Sequence, residues 1–307
     1  MALRRVPLHL SEPQPCLPSL NFADQVVALL GRRIDRYSTL RLGEPRRLSP
    51  GWTRLAAELQ RWRRAGHSPL LWWRDDDAFE PSMQLRRLVE YANRAGVPLS
   101  LSVIPALLNP ELCAWVNRYP FVSVLQHGTD HSDAGGGDGP TQFDPADPPH
   151  SVAKRLANGW SALSGFNRRL PIYVPPWHAL TPNVTAAATM VGRGLVSAWG
   201  APAERDRVDV HVDLMRWRGS PRFAGNRRVL GALRRALRER RLEGRWHDPI
   251  GLLTHHMVHD DAAWRFLASL LSFEPLKNSA RWQSADVLFG LVLPASVDEP
   301  LQVAAIA

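Results

Sequence analysis

Three carboxylates stand in a row at Asp75, Asp76 and Asp77, directly after the apolar run Pro69-Leu70-Leu71-Trp72-Trp73 and Arg74. Adjacent carboxylates repel one another, so a fold that crowds them supplies a cation or shifts a pKa. Two later segments can complete such a site. His127-Gly128-Thr129-Asp130-His131 and Leu252-Leu253-Thr254-His255-His256 each follow or continue an apolar run. One Asp with two His offers three protein ligands to a divalent cation and leaves positions open for water and substrate. That donor set suits one divalent ion, zinc first, with cobalt, nickel or manganese next. The competing reading of the Asp triplet alone is a solvated acidic loop, and the histidines argue against it.

His127 and His131 reach one ion if their segment turns helically after its strand. A bound divalent metal polarises a carbonyl and lowers the pKa of its water. A remaining Asp then serves as general base, and His255 or His256 protonates a leaving group from the opposite side. Pro175-Pro176-Trp177 adds a rigid strand end, because both prolines lack an N–H and lock φ. The N–H of Trp177 is then a free donor for an oxyanion. A plain strand terminator is the alternative for Pro-Pro-Trp.

The elements that must position these residues alternate. Strands are predicted over 69–74, 97–104, 121–126, 170–174, 195–199, 208–214 and 250–254. In the sixth, Val208, Val210, Val212 and Leu214 alternate with Asp209, His211 and Asp213. Helices are predicted over 82–95, 109–118, 151–163, from Thr181-Pro182, over 226–241 and from Asp260 or Asp261 to Leu271. Ser82 is an N-cap and Gly96 a stop. A strand–helix alternation of this kind specifies an α/β protein with a parallel sheet, open or closed into a barrel. No glycine-rich phosphate fingerprint follows the first strand, which argues against a dinucleotide-binding sheet.

Residues 1–65 read as an N-terminal helical extension packed on the main domain, with helices over 21–35 and 50–65. Residues 66–293 form the catalytic domain, and 294–307 a mobile tail. The loop from Asp133 to His150 is long and rich in Gly, Asp and Pro, as lids and binding loops often are.

With 307 residues, the chain can bury a large core; its 12 Trp residues suit both cores and sugar-stacking walls. The net charge of +9 comes from arginine, since Lys154 and Lys277 are the only lysines. The stretch 226–241 is the densest basic run, with Val229, Leu230, Leu233, Leu237 and Leu242 on one stripe and arginines on the other face. Such a face is ordinarily solvated; the sharper alternative is a weak contact with phosphate or an anionic membrane surface. No specific nucleic-acid motif accompanies it. Cys16 and Cys113 form no disulfide framework and no zinc spacing. The N-terminus lacks the apolar core of a signal peptide, and no run approaches about 18 apolar residues, so the expectation is a cytoplasmic protein without a transmembrane segment.

Taken together and in order, the motifs resemble the polysaccharide deacetylase family (the NodB-homology domain, carbohydrate esterase family 4). Asp76-Asp77-Ala78 resembles its Asp-Asp-Gly motif, and His127-Gly-Thr-Asp-His131 its His-Ser/Thr-x-x-His motif. Val174-Pro-Pro-Trp177 resembles Arg-Pro-Pro-Tyr, Asp213-Leu-Met-Arg-Trp217 resembles Asp-x-x-Asp-Trp, and Leu253-Thr-His255 resembles Leu-x-His. The resemblance implies a distorted (β/α)7-type barrel and metal-dependent removal of an acetyl group from an N-acetylated sugar. It implies Asp76 as general base and Asp77, His127 and His131 as metal ligands. It places the Trp177 N–H in the oxyanion hole beside Pro176, has Asp213 tune the acid His255, and makes Trp217 a wall of the sugar pocket.

The chain departs from the family pattern at several supports. Gly128 stands where Ser or Thr is usual, Val174 where an arginine orients the base, and Arg216 where a second Asp is usual. Asp75 adds a third carboxylate and His256 follows His255, so a register slip would make Asp75 the base and His256 the acid. The reading is a metal-dependent deacetylase of an amino-sugar-containing carbohydrate or sugar precursor. The alternatives are a hydrolase of a small non-sugar amide or cyclic amide, and a non-catalytic carbohydrate-binding scaffold.

Overall fold

The apolar run at Leu70 continues as a strand straight through the Asp triplet. In chain order the strands are β1 (Leu70–Ala78), β2 (Leu99–Val103), β3 (Val122–His127), β4 (Arg169–Val174), β5 (Leu195–Val196), β6 (Val212–Asp213), β7 (Met215–Arg216), β8 (Arg222–Phe223), β9 (Ile250–Thr254) and β10 (Arg281–Trp282). The principal helices are α1 (Pro50–Arg64), α2 (Met83–Ala95), α3 (Pro110–Val116), α4 (Pro149–Ala162), α5 (Pro182–Met190), α6 (Asn226–Leu242) and α7 (Asp261–Leu271). These come from a computed structural model that describes residues 49–135, 139–192, 194–292 and 302–303. The helix predicted over 21–35 lies outside the described residues. So does the tail, apart from Gln302–Val303, which pairs antiparallel with Leu291–Val292.

Seven parallel strands lie in the order β5-β4-β3-β2-β1-β9-β6, with β10 against the start of β1. The sheet closes on itself at a seam. Bridges Val196–Arg207 and Trp199–Val210 join β5 to the segment that leads into β6, and the His211 N–H donates to the Gly251 carbonyl of β9 at 2.8 Å. The result is the distorted (β/α)7-type barrel expected, with helices outside. The single strand predicted over 208–214 is resolved into bridges and a short β6, because this segment changes partner from β5 to β9 midway.

Strand alternation sorts the apolar residues into two layers. Trp72, Leu125, Ile172, Val174, Val208, Val210 and Leu253 fill the barrel interior. Leu71, Trp73, Leu99, Leu101, Val122, Val124, Ile250 and Leu252 meet the surrounding helices. Asp209, read from its alternation as lying on the polar face, is buried instead. Its carboxylate accepts the Ala198 and Ala201 N–H groups and pairs with Arg207, which pins the seam. Trp72 Nε1 donates to the Asp209 carbonyl at 3.1 Å. At Gly251 a side chain cannot fit, since a Cβ would lie 2.6 Å from both Val210 Cα and Trp72 Nε1. Gly251→Ala is expected to cost about 3 kcal/mol, the upper end of overpacking. Urea unfolding checks this, and an unchanged midpoint would refute the tight seam.

Helix caps follow the sequence. Ser82 Oγ accepts the Leu85 N–H, Gly96 ends α2 at φ 63°, and Asp260 rather than Asp261 caps α7 through the Ala263 N–H. Helix α1 buries Trp52, Leu55, Leu59 and Trp62 in the outer core shared with α6 and α7. Glu58, on the same face, is fully buried and is held by Arg61 at 2.9 Å and by Arg241 of α6 at 2.6 Å. On α6 the stripe differs from the expected one at its end. Leu242 lies on the opposite side from Val229 and is exposed, while Arg240 takes the buried position and donates to the Asp248 and Pro249 carbonyls. Arg227, Arg228, Arg235 and Arg238 are exposed. Among the described residues no helix is long and apolar enough to cross a membrane.

Candidate active site

The carboxyl ends of β1, β3, β4, β6 and β9 converge, as they must in a parallel barrel. On β1, Arg74 and Asp76 share the inward face with Trp72, and Asp75 points the other way. Asp75 accepts Thr254 Oγ1 at 2.6 Å and the His256 N–H at 3.1 Å, and pairs with His256 Nδ1. Trp73 Nε1 donates to the same Thr254 hydroxyl at 2.9 Å. Asp75 and His256 thus tie β1 to β9 on the face of β1 opposite Asp76. The register with β2 shifts between Asp75 and Ala78, and Asp77 takes φ 69°. That left-handed step breaks the alternation and brings Asp77 beside Asp76 on the inside.

Asp77 Oδ1 lies 3.1 Å from His127 Nε2 and 3.3 Å from His131 Nε2. The three ligand atoms all fall within 4.8 Å of one another and all three residues are buried. His127 Nδ1 donates to the Val174 carbonyl at 3.0 Å, which turns Nε2 toward Asp77; Nε2 donates to that carboxylate from an imidazolium, and from the neutral ring it would offer its lone pair to a bound ion. One carboxylate and two imidazoles at this spacing fit a divalent ion. Burial alone would raise the Asp77 pKa; the hydrogen bond from His127 and the neighbouring imidazoles outweigh it and hold the carboxyl well below its usual range. Burial works to lower the pKa of both histidines. At His131 it prevails, and at His127 the bond to Asp77 and the charge of Asp76 reverse it.

The expected helical turn between His127 and His131 is absent. A loop takes its place, with Gly128 at φ 57° and His131 at φ 56°. The support sought from a hydroxyl at position 128 comes from Gln142, whose Oε1 accepts the Thr129 N–H at 2.8 Å and whose Nε2 donates to Asp130 at 2.6 Å. A Cβ at Gly128 would lie 2.3 Å from that Oε1 and 2.6 Å from Pro176 Cγ. Gly128→Ala is therefore expected to cost about 2–4 kcal/mol and to weaken metal binding about tenfold or more. Chelator competition reads the second effect; unaltered metal affinity would show that this loop does not set the donor geometry.

Arg74 supplies the guanidinium that position 174 lacks. It is fully buried, and it grips Asp76 with two bonds, Nε to Oδ1 at 2.8 Å and Nη2 to Oδ2 at 2.9 Å. Its Nη1 donates to the Ser197 carbonyl and hydroxyl at 2.8 and 2.7 Å. Burial would raise the Asp76 pKa, but Arg74 and the surrounding imidazoles hold it well below the carboxylate range, so Asp76 is ionised. The sequence reading missed Arg74. The available signal was its place two residues before Asp76 on one strand, hence on one face.

Pro176 is buried, and Trp177 follows it at φ 52°, with its ring 4.5 Å from that of His131. The Trp177 N–H makes no hydrogen bond among the described residues. His255 is buried with its ring edge against Trp217 at 4.5 Å, and its Nδ1 has no hydrogen-bond partner among the described residues. Asp213 does not bond His255 directly. It accepts the Met215 N–H and Trp217 Nε1, each at 2.7 Å, so Trp217 links the two. Burial raises the Asp213 pKa, with the nearby His255 as the main opposing influence. Arg216, in β7, is exposed.

Among the described residues only four without glycine's freedom hold a positive φ: Asp77, His131, Trp177 and His178. All four are at this site. Such strain costs of order 1–3 kcal/mol each and persists where the surroundings over-determine it.

No family model and no curated protein sequence matches the chain. Solved structures do. The chain is similar to a family 4 acetyl xylan esterase from Clostridium thermocellum in complex with a cobalt ion, at 15% identity and TM-score 0.46, over 72% of this chain and 90% of that one. It is similar to a peptidoglycan deacetylase from Bacillus subtilis at 11% identity and TM-score 0.45, over 72% and 90% of the two chains. It is similar also to a carbohydrate esterase family 4 pseudoenzyme from Bacillus anthracis at 10% identity and TM-score 0.45, over 73% and 66%.

Proposed function

We propose that the protein hydrolyses the acetamide of an N-acetylated sugar or sugar precursor. The observation that carries this reading is the pairing of an ionised, doubly bonded Asp76 with the adjacent Asp77–His127–His131 donor set inside one buried site. A divalent ion held by Asp77, His127 and His131 would polarise the acyl carbonyl and acidify water. Asp76 accepts the proton of the attacking water. The Trp177 N–H donates to the oxygen that gains charge as the carbon becomes tetrahedral. His255 gives a proton to the departing amine, so that the C–N bond breaks and acetate and a free amine leave. Asp213, through Trp217, fixes the wall against which His255 rests.

The test couples elemental analysis to acetate release from N-acetylated sugars and their nucleotide conjugates. Wild type is expected to carry stoichiometric metal and release acetate, and His127→Ala/His131→Ala to lose both. Metal without acetate release from any sugar would favour a small-amide hydrolase. Absence of metal binding near neutral pH would leave a carbohydrate-binding scaffold.

A further inference from the structure

Between α6 and the seam segment that carries His211 lies a cavity of about 200 Å³. It is lined by His211, Arg235, Glu239, Arg240 and Arg245, and otherwise by small residues and one proline. None of these residues belongs to the site above. Sites for whole small molecules run to about 300–1,000 Å³, so this cavity suits a single chemical group.

Two backbone partners fix the protonation of His211. The Gly251 N–H donates to Nδ1 at 3.1 Å, so the ring proton sits on Nε2 and points to the Ala201 carbonyl at 3.1 Å. Burial and the Arg240 charge push the His211 pKa down to about 4, so the ring holds that one proton at ordinary pH. Arg240 Nη2 nevertheless lies 2.9 Å from Nε2. A guanidinium only donates, so two donors meet with no acceptor between them. Arg240 is buried, with 3% of its surface exposed. One Nη2 hydrogen goes to the Pro249 carbonyl at 2.9 Å, and Nη1 reaches only the Ala236 carbonyl, at 3.4 Å. Nη1 and Nη2 therefore each keep a hydrogen without an acceptor among the described residues. Buried donors left over in this way call for an acceptor that the chain does not supply.

The charges around the cavity say what kind of acceptor. Arg240 and Arg245 share one carboxylate, Asp248, which does not line the cavity. Arg235 makes no ion pair among the described residues. Three guanidiniums thus line the space, and Glu239 is the one carboxylate beside them. The guanidinium fork matches the oxygens of a phosphate, and such charge-assisted bonds are about twice as strong as neutral ones.

We propose that this cavity binds a phosphate group, as the free ion or as a phosphomonoester whose remainder stays outside. Its oxygens accept the spare Arg240 hydrogens, and Arg235 closes over it from α6. The bound group ties α6 to the seam. The site stands whether or not the protein is a deacetylase.

The experiment is calorimetric titration of the full chain with inorganic phosphate and with AMP, at ionic strength matched by chloride. The variants are Arg235→Gln and Glu239→Gln. Both side chains are exposed and make no hydrogen bond among the described residues, so the urea midpoints in chloride should equal that of wild type. One phosphate per chain is expected to bind wild type and to raise its urea midpoint. Arg235→Gln should weaken binding about tenfold, and Glu239→Gln should tighten it several-fold by removing the opposing charge. His127→Ala/His131→Ala should bind phosphate as wild type does. Tighter binding of AMP identifies a phosphomonoester and tighter binding of phosphate the free ion, provided each depends on Arg235. No saturable binding at millimolar phosphate, affinity indifferent to both α6 variants, or binding lost with His127 and His131 overturns the site.

Discussion

Asp76→Asn is expected to lower kcat by about 10²–10⁴-fold while metal content stays at the wild-type level. The amide is nearly isosteric and keeps one acceptor for Arg74, so the fold survives. It cannot take a proton from water. Asp77, His127 and His131 make their contacts without Asp76, which is why metal should be retained. Steady-state acetate release with elemental analysis of the same sample decides the matter. Full turnover would remove Asp76 as the base, and loss of metal would make it a ligand instead.

Arg74→Met should abolish activity and also destabilise the fold by about 3–5 kcal/mol, the cost of leaving a buried charge without its partner. Arg74 and Asp76 are both buried, and the pair is held by two hydrogen bonds. Arg74→Lys should not rescue function, because an ammonium cannot reproduce the planar fork that grips both carboxylate oxygens. A double-mutant cycle isolates the pair: Arg74→Met/Asp76→Asn should recover much of the stability and none of the activity. The pH dependence carries a second signature. In wild type the Asp76 pKa is depressed, so its contribution is present above the unfolded value of 3.8 and fades as pH falls through the depressed folded value. Without Arg74, burial meets less opposition and the folded pKa rises. The penalty is then largest at neutral pH and shrinks as acid protonates the carboxyl. Urea midpoints at pH 7 and pH 5 test this, and a deficit that grows toward pH 5 would contradict it.

Much of this site was readable before any coordinates. Strand ends near His127, Pro175 and His255 followed from short apolar runs, whereas the first strand, expected to stop at residue 74, runs on through the Asp triplet to Ala78; the caps at Ser82, Gly96 and Asp260 followed from local hydrogen-bonding chemistry. The role of Arg74 was not, although strand alternation already placed it on the face of Asp76, and a charge inside a buried strand demands a partner. The same alternation separates Asp75 from Asp76, which a list of adjacent carboxylates conceals. The left-handed step at Asp77 and the seam closed by isolated bridges were out of reach. Both depend on tertiary contacts that the local pattern does not specify, such as those of Asp77 with His127 and His131 and the Trp72 Nε1 bond to Asp209. Gln142 was hidden for a similar reason, inside a loop whose composition signals only irregularity.

The four left-handed residues Asp77, His131, Trp177 and His178 bear on how this protein responds to selection. At each of them glycine would relieve the backbone and remove a side chain the site uses. A library screened only for heat resistance should therefore gather substitutions at these positions and return folded, long-lived proteins that have lost their chemistry. Improvement that spares the site has to come from elsewhere in the barrel. The place where the chain is most easily made sturdier is the place where it is least replaceable.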